Sequence, residues 1–297
     1  MVVGPVPYRP CGLPVRSRHL MSEGPGGVPS RHDPIGGRRR RWIGSARQPP
    51  ILPRVGGHRR RTTDVSEAQP KLYRQHRFRP PPGACEVLLV RHGESAPAVH
   101  GVPFELTDGH GDPPLAPEGR AQADRLADRL AAERVDAIYV TSLRRTQETA
   151  APLADRLGLA PTVVPDLREV HLGEWEGELY RQKMAEGDPI AMRVITEERW
   201  DVIPGAESND QLRARVVPAL EAVAEAHPDG RIVVVAHGGV IASVLASASD
   251  SRPFAFLGAD NGSISHLVRH RQRWIIRRFN DTGHLDGELS ADGEPLT

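Results

Sequence analysis

Two segments of the chain place a histidine directly after an apolar, strand-like run. Arg91 and His92 follow the run 85–90, and His237 follows the run 231–236. A glycine comes next in both segments, which lets backbone or ligand approach closely. Because ligands of α/β folds bind beyond the carboxyl ends of the strands, these side chains are candidates for a binding or catalytic site.

A third apolar run, 136–141, leads into Arg144 and Arg145 at the start of a predicted helix. The planar guanidinium group suits phosphate oxygens, and the N-terminus of a helix favours an anion. Arginines and histidines at three strand ends therefore indicate a phosphoryl group as the ligand.

Alternating strands and helices are predicted from about residue 83 onward. The runs 85–90, 136–141 and 231–236 hardly alternate between apolar and polar residues, as expected of strands buried on both faces. Helices are predicted over 116–133, 144–158, 208–226 and 239–248, and paired edge strands over 263–270 and 273–279. The expected fold class is α/β, a three-layer α/β/α sandwich with a mostly parallel, mixed sheet.

Residues 1–82 differ in composition from the rest of the chain. They carry 17 Lys and Arg against 4 Asp and Glu, a net charge of +13, and 14 of the 28 prolines. Residues 83–297 carry a net charge of −12. Pro, Gly and Arg at this density bury too little apolar surface to offset the entropy of ordering. Residues 1–82 are therefore predicted to be a disordered basic Arg/Pro-rich extension, and residues 83–297 the folded domain.

Nucleic acid is a conceivable partner only through residues 1–82. Arginine clusters at 38–41 and 59–61 provide the positive charge for such binding. The whole chain, however, has 37 Arg and two Lys, a bias typical of GC-rich coding sequence. A solvated extension is therefore the favoured interpretation.

Composition also argues against membrane and disulfide-rich classes. No apolar run approaches the length of a membrane span, and four prolines interrupt residues 5–14, where a signal peptide would be apolar. The two cysteines, Cys11 and Cys85, do not suggest a disulfide framework. We expect a cytoplasmic protein without a membrane partner, as a monomer or homodimer.

The sequence from Arg91 to Glu94, RHGE, resembles the opening motif of the histidine phosphatase superfamily, also called the phosphoglycerate mutase-like family. Further blocks similar to those of the family follow in its order: TSLRRTQETA (141–150), LREVHLGEWEG (167–177), PGAES (204–208), AHGG (236–239) and NDTGHL (280–285). The resemblance spans about residues 85–285. It selects Arg145 rather than Arg144, which is then expected on a solvated helix face, and it makes residues 83–297 the catalytic domain.

The resemblance implies metal-independent hydrolysis of phosphomonoesters of small metabolites through a phosphohistidine. His92 would be the nucleophile, and Arg91, Arg145 and His237 would hold the phosphoryl oxygens. Glu169 would protonate the leaving alkoxide and then activate water. The implied enzyme is a phosphoric monoester hydrolase that needs no cofactor and acts on a small phosphorylated metabolite.

Some residue roles within this motif set have alternatives. Two further glutamates in the block 167–177 leave a structural role open for Glu169. Gly238 and Ser95 are candidates for phosphate binding, although serine more often caps a helix. Phe104 is expected to form an apolar wall of the substrate region. Trp175 either lines the pocket or packs in the core, and packing is favoured.

Two other structural expectations follow from the same residues. The segment 178–203 is expected to cover the site as a long loop. No metal site is predicted, because the candidate metal ligands show no recognisable metal-binding spacing. These candidates are His92, His100, His110, Asp112 and His237.

Two departures from the family pattern bear on the reaction. Ala98 stands where many members have an asparagine, and Val170 stands where the mutases have an arginine after the acid/base glutamate. A mutase must hold a second negatively charged group while the phosphate is retained, so loss of that cation favours release to water. The alternatives are a cofactor-dependent phosphoglycerate mutase and a non-catalytic relative that binds phosphorylated ligands, which would not require Glu169.

Overall fold

The computed structural model describes residues 72–285. Most of the predicted basic extension, residues 1–71, lies outside the described residues, and so do residues 286–297. Of the extension only residues 72–82 are described, and residues 72–80 form neither helix nor strand. The domain boundary after residue 82 therefore stays a prediction.

Strands and helices alternate through the described part of the chain. The strands are β1 (Cys85–Arg91), β2 (Leu106–Thr107), β3 (His110–Gly111), β4 (Ala137–Val140), β5 (Thr162–Val163), β6 (Arg231–Ala236), β7 (Ile264–His270) and β8 (Arg273–Asp281). The α-helices are α1 (Pro117–Leu130), α2 (Arg144–Leu157), α3 (Leu179–Ala185), α4 (Pro189–Glu197), α5 (Asn209–Glu225) and α6 (Gly238–Ser249). Short 3-10 helices occur at Pro165–Leu167, Gly173–Trp175 and Trp200–Val202.

Six strands form a central mixed sheet in the order β5-β4-β6-β1-β7-β8. The pairs β5-β4, β4-β6 and β6-β1 are parallel, whereas β1-β7 and β7-β8 are antiparallel. The strands β2 and β3 form a separate antiparallel pair. The mostly parallel sheet and the pairing of the two C-terminal strands are as predicted, but only β8 is an edge strand, because β7 also pairs with β1.

The side chains of β1 alternate between two hydrophobic cores, one on each face of the sheet. Val87 and Leu89 belong to the core formed with α5 and α6, whereas Leu88 and Val90 belong to the core formed with α1 and α2. Burial on both faces explains why apolar and polar residues do not alternate along this strand. The predicted three-layer α/β/α sandwich is therefore confirmed.

Local sequence determines where several helices begin and end. Ser208 and Gln211 form a capping box at the start of α5, each side chain accepting from the other residue's backbone N–H. Ala116 gives α1 no side-chain cap, but Pro117 occupies its first turn and fits there without loss of a hydrogen bond. Gly158 ends α2 in the left-handed conformation, with φ of 65°.

The segment 178–203 was expected to be a long loop, and the structure corrects this. It folds into α3, α4 and a short 3-10 helix. The side chain of Asp188 caps α4 by accepting from a backbone N–H, and Ala191 and Val194 are buried on one face of that helix. A cap followed by apolar residues at helical spacing is the sequence signal for this helix.

Two glycines hold the loop after β1 close to α1. A Cβ atom built on Gly93 would lie 2.5 Å from the carbonyl oxygen of Gly119. A Cβ atom built on Gly119 would overlap the carbonyl oxygen of Glu94. The loop that follows the predicted nucleophile therefore reaches its position because neither residue has a side chain.

Gly119→Ala is expected to destabilise the protein and lower its activity, because the new methyl group must displace α1 or the loop. Overpacking of this kind costs about 1–3 kcal/mol in the free energy of unfolding. Denaturant titration and steady-state kinetics measure the two effects. The matched control is Glu118→Ala, at an exposed position of the same helix. Unchanged stability and activity for Gly119→Ala would contradict the close contact.

Candidate active site

Three neighbouring parallel strands bring the predicted site residues to one edge of the sheet. The strands β4, β6 and β1 are adjacent, so their carboxyl ends lie side by side. Arg91 ends β1 and His92 follows it, while His237 directly follows β6. Arg145 is the second residue of α2, the helix after β4. Arg91, His92 and His237 thus lie at or directly after strand ends, and Arg145 lies in the first turn of the helix that follows β4.

His92 is buried, with 6% of its surface exposed. Its Nδ1 lies 2.7 Å from the carbonyl oxygen of Gly93, which can only accept, so Nδ1 carries the proton. Arg145 Nε donates to Nε2 of His92 over 3.3 Å. Burial, followed by the positive charges of Arg145 and Arg91, holds the pKa of His92 well below its usual 6.5. The side chain is therefore a neutral imidazole whose nucleophilic Nε2 faces a guanidinium group.

Two arginines provide positive charge beside this imidazole. Nη1 of Arg145 donates to the carbonyl oxygen of Gly111 over 2.9 Å, and Asp112 lies 3.9 Å away as its counter-ion. Burial lowers the pKa of Arg145 to about 10, which leaves it charged at neutral pH. Nη1 of Arg91 donates to the carbonyl oxygen of Ala259, whereas its buried Nε has no partner among the described residues. An unpaired buried donor of this kind suits an anionic ligand.

His237 is fully buried beside His92, and their ring centroids are 5.2 Å apart. Its Nε2 lies 3.0 Å from Oγ1 of Thr141, and its Nδ1 has no partner in the described part of the chain. Burial, followed by the charge of Arg145, holds the pKa of His237 well below 6.5. Nδ1 is therefore the ring atom whose hydrogen-bonding capacity is not used within the described residues.

Glu169 is half-buried at the N-terminus of α6. Its carboxylate accepts from the backbone N–H groups of Val170, over 2.9 Å, and Gly239, over 3.3 Å. Its own carbonyl oxygen accepts from Arg215 Nη2 and His110 Nε2, over 2.8 and 3.1 Å. Contacts on both ends fix the residue, and the helix N-terminus favours its carboxylate.

Arg215 connects the segment before Glu169 to α5. Its Nη1 donates to the carbonyl oxygens of Asp166 and Arg168, over 2.8 and 2.7 Å. It also makes a two-point ion pair with the carboxylate of Glu207, with both distances 2.7 Å. Glu207 comes from the PGAES motif, so this motif helps to position the candidate acid/base residue.

The predicted site residues surround a cavity of about 310 Å³. Arg91, His92, Arg145 and Glu169 lie on its wall, whereas His237 is fully buried and is not part of the wall. The wall also includes residues that sequence reasoning did not assign to the site, among them His110, Tyr180, Arg181, Asp260 and Asn261. Tyr180 and Arg181 belong to the segment 178–203, which the sequence predicts to cover the site, although no individual role was predicted for either residue.

The other residues predicted for the site do not all lie on the wall of this cavity. Gly238 and Phe104 line the cavity as expected. Ser95 does not, and its hydroxyl instead accepts from Arg181 Nη2 over 2.6 Å. Trp175 packs in the hydrophobic core with 6% exposure, so its placement in the substrate loop is corrected, in favour of the packing alternative.

The described residues contain neither a cluster of metal-ligating side chains nor a helix that could span a membrane. Between residues 72 and 285, no group of three or more His, Cys, Asp and Glu side chains is arranged to hold a metal ion. Of the candidate ligands, His100 is exposed and Asp112 accepts from the backbone N–H of Arg144. No helix of this same stretch has both the length and the apolar character needed to cross a bilayer.

The sequence model of the histidine phosphatase superfamily (branch 1) matches residues 87–282. This match extends from β1 to the end of the described fold and includes each of the candidate catalytic residues. The chain therefore belongs to the histidine phosphatase superfamily.

Individual relatives and solved structures agree with this assignment. Phosphoglycerate mutase-like protein 4 of Arabidopsis thaliana is 35% identical over 207 residues, covering 68% of this chain and 87% of that protein. The metal-independent phosphoserine phosphatase of the same plant is 36% identical over 205 residues, covering 67% and 83%. The structure of a mycobacterial glucosyl-3-phosphoglycerate phosphatase has a TM-score of 0.56 and 29% identity, covering 66% of this chain and 99% of that one.

The family, the fold and the enzyme class predicted from the sequence are thus confirmed. Phosphatases among the relatives support a phosphoric monoester hydrolase of this superfamily and do not favour the mutase alternative. The roles of the individual site residues are a separate question, which depends on their chemistry.

Because the pKa of His92 is lowered, we expect kcat/KM to have a characteristic dependence on pH. Since the imidazole stays neutral as the pH falls through 6.5, any loss of kcat/KM caused by its protonation should occur below pH 6.5. The profile is measured by steady-state kinetics and corrected for the ionisation of the substrate phosphate. Arg145→Gln removes a positive charge beside the ring and should move this acid limb to higher pH. An acid limb of His92 at or above pH 6.5 in the unmodified enzyme would contradict the geometry.

Proposed function

We propose that the protein hydrolyses phosphomonoesters of small metabolites, without a metal ion, through a phosphohistidine on His92. One observation carries the proposal. The unprotonated Nε2 of His92 faces the guanidinium of Arg145 in a cavity that also holds Arg91 and Glu169. A nucleophile, two cations and a carboxylate therefore share one enclosed space.

The cations are placed to bind the phosphoryl group before it reacts. Arg91 and Arg145 bind its non-bridging oxygens, and Nδ1 of His237 donates to a further oxygen when the Thr141 hydroxyl donates to Nε2. The backbone N–H of Gly238 at the start of α6 adds a donor from the helix N-terminus. Because the guanidinium groups supply the positive charge, the chemistry does not require a metal ion.

In the first step, Nε2 of His92 attacks phosphorus and the bond to the ester oxygen breaks. The leaving alkoxide takes a proton from the carboxyl group of Glu169. The proton on Nδ1 of His92 stays hydrogen-bonded to the Gly93 carbonyl, which stabilises the cationic phosphoimidazole that forms. In the second step, the carboxylate of Glu169 takes a proton from water, whose oxygen attacks phosphorus as the bond from phosphorus to Nε2 breaks. Inorganic phosphate is released and His92 is again neutral.

Position 170, directly after the proposed acid/base residue Glu169, supports hydrolysis rather than transfer of the phosphoryl group to a second acceptor. Val170 occupies it and is buried, with 2% exposure. No positive charge is available there to retain a second anionic group, so the leaving molecule can depart before the phosphoenzyme reacts. Water is then the acceptor.

We further propose a cytoplasmic location and a monomeric or homodimeric state. Support for the location comes from the small phosphorylated substrates expected of this superfamily and from Cys85, which is buried and unpaired. Fractionation and analytical ultracentrifugation of the full chain test these two proposals.

Two variants test the assigned roles with p-nitrophenyl phosphate in the presence of a chelator. His92→Ala is expected to abolish turnover and acid-labile phosphoprotein. Glu169→Gln should slow turnover by roughly 10²- to 10⁴-fold. Because p-nitrophenolate leaves without a proton, this variant should still be phosphorylated and should accumulate phosphohistidine when rapidly quenched.

The control for these variants is His76→Ala, at an exposed histidine that does not line the active-site cavity, which should behave like the unmodified protein. Turnover by His92→Ala, or a purified enzyme without an acid-labile phosphoprotein, would refute the mechanism. A panel of sugar, glycerol and amino-acid phosphates then defines the substrate range.

A further inference from the structure

Arg181 is a half-buried cation that the proposed hydrolysis does not use. It extends from α3 between the active-site cavity and a neighbouring cavity of about 500 Å³. Both cavities are also lined by Arg91, His92 and Asn261. Arg181 therefore lies beside the space that the leaving group occupies when the phosphoryl group is on His92.

Neutral acceptors hold the guanidinium of Arg181 in place. Its Nη1 donates to the carbonyl oxygen of Ala96 over 2.8 Å, and its Nη2 donates to Oγ of Ser95 over 2.6 Å. The group also lies 5.7 Å from the ring centroid of Phe104. A guanidinium has five N–H donors, so three remain, enough for a two-point contact with an oxyanion.

The charge of Arg181 is poorly compensated by the described residues. Burial, followed by repulsion from Arg91, lowers its pKa, whereas the carboxylate of Glu94 opposes this shift. No carboxylate in residues 72–285 forms an ion pair with it. A desolvated cation without a direct counter-ion is unfavourable, and an anionic ligand relieves that cost.

The other carboxylates around the two cavities do not take this role. Glu176 accepts from the backbone N–H groups of Gly111 and Leu172. Asp260 accepts from the side-chain amide of Asn280. In the neighbouring cavity Glu94 is exposed and Glu178 is buried, and neither pairs with Arg181.

We infer that Arg181 is a specificity-determining residue that binds a carboxylate on the leaving group, so that preferred substrates are phosphate esters of hydroxy acids. The inference rests on the proposed function. Arg91 and Arg145 match the charge of the phosphoryl group, and one more cation matches one more negative charge. A single planar carboxylate fits the remaining N–H donors of one guanidinium and matches its single charge, whereas a second phosphate dianion would leave one negative charge unmatched.

The test compares esters that differ by a carboxylate. O-phosphoserine is paired with O-phosphoethanolamine, and 3-phosphoglycerate with glycerol 3-phosphate. For the unmodified full-length protein, kcat/KM should be at least tenfold higher for the carboxylate-bearing member of each pair. In Arg181→Gln this ratio should fall by roughly 10- to 100-fold, the effect of losing a hydrogen-bonded charge pair. Arg181→Lys should restore part of the ratio, because it keeps the charge without the planar group.

Arg193→Gln is the matched control, on α4 with an exposed ion pair to Glu197, and it should keep the ratio unchanged. If the unmodified protein has equal kcat/KM values for the two members of each pair, the inference is overturned without any variant. An Arg181→Gln variant that loses the same factor on all four esters overturns it too, since Arg181 would then act on the phosphoryl group or the fold. Fructose 1,6-bisphosphate and fructose 6-phosphate form a third pair, which differs by a phosphate. A preference for the bisphosphate, without a preference in the two carboxylate pairs, also overturns the inference.

Failure of the inference and failure of the proposed function give different results. Turnover of p-nitrophenyl phosphate with a phosphohistidine, but without carboxylate preference, overturns the inference alone. Absence of turnover and of phosphoprotein on every ester overturns both.

Discussion

The parallel pairing of β1 with β6 in a single register is the constraint on which the site depends. That register places Arg91 opposite Ala236, so that His92 and His237 follow as neighbours with ring centroids 5.2 Å apart. A slip by one residue would turn every side chain of β1 to the other face of the sheet. The register is secured because the β1 side chains fill two cores, with Val87, Leu89 and Val90 fully buried.

Burial of the same strand ends also determines the charge state of the site. Removal from water lowers the pKa of both histidines and keeps them neutral, while the arginines stay protonated because their usual pKa is so high. The fold thereby places a neutral imidazole, the proposed nucleophile, beside cationic guanidinium groups, which are proposed to bind the phosphoryl oxygens. Since these groups are fixed by backbone contacts, little reorganisation is needed when charge develops on the phosphoryl oxygens.

The sequence alone is sufficient to predict the features of the fold and the site that depend on short-range patterns. Uninterrupted apolar runs identified the central strands, and residues directly after them, such as His92 and His237, had to lie at the carboxyl edge. Arg145 and Glu169 required the family resemblance, because spacing alone did not separate Arg145 from Arg144 or Glu169 from its neighbouring glutamates.

Other features depend on contacts between distant segments, which no local pattern reveals. Arg215 is 46 residues from Glu169, whose carbonyl it holds, and Arg181 is 86 residues from Ser95. Ser95 was a reasonable phosphate ligand by position, but the approach of α3 engages its hydroxyl with Arg181 instead. The expectation of a substrate-covering loop over 178–203 overlooks the helices there, although Asp188 has the properties of a helix cap.

The location of Arg181, the third arginine on the cavity wall, offers a physical reason why a fold shared with mutases can favour transfer of the phosphoryl group to water. An arginine at position 170 would be part of the segment clamped by Arg215, and would hold a second anionic group as rigidly as Glu169 is held. In this chain Val170 is buried there, and the available cation is Arg181 on α3, a helix of seven residues with none fully buried. Lightly packed elements open at low free-energy cost. In the proposed mechanism, a leaving acid bound by Arg181 of α3 departs more readily than one bound at the clamped segment, and the phosphohistidine is left to react with water.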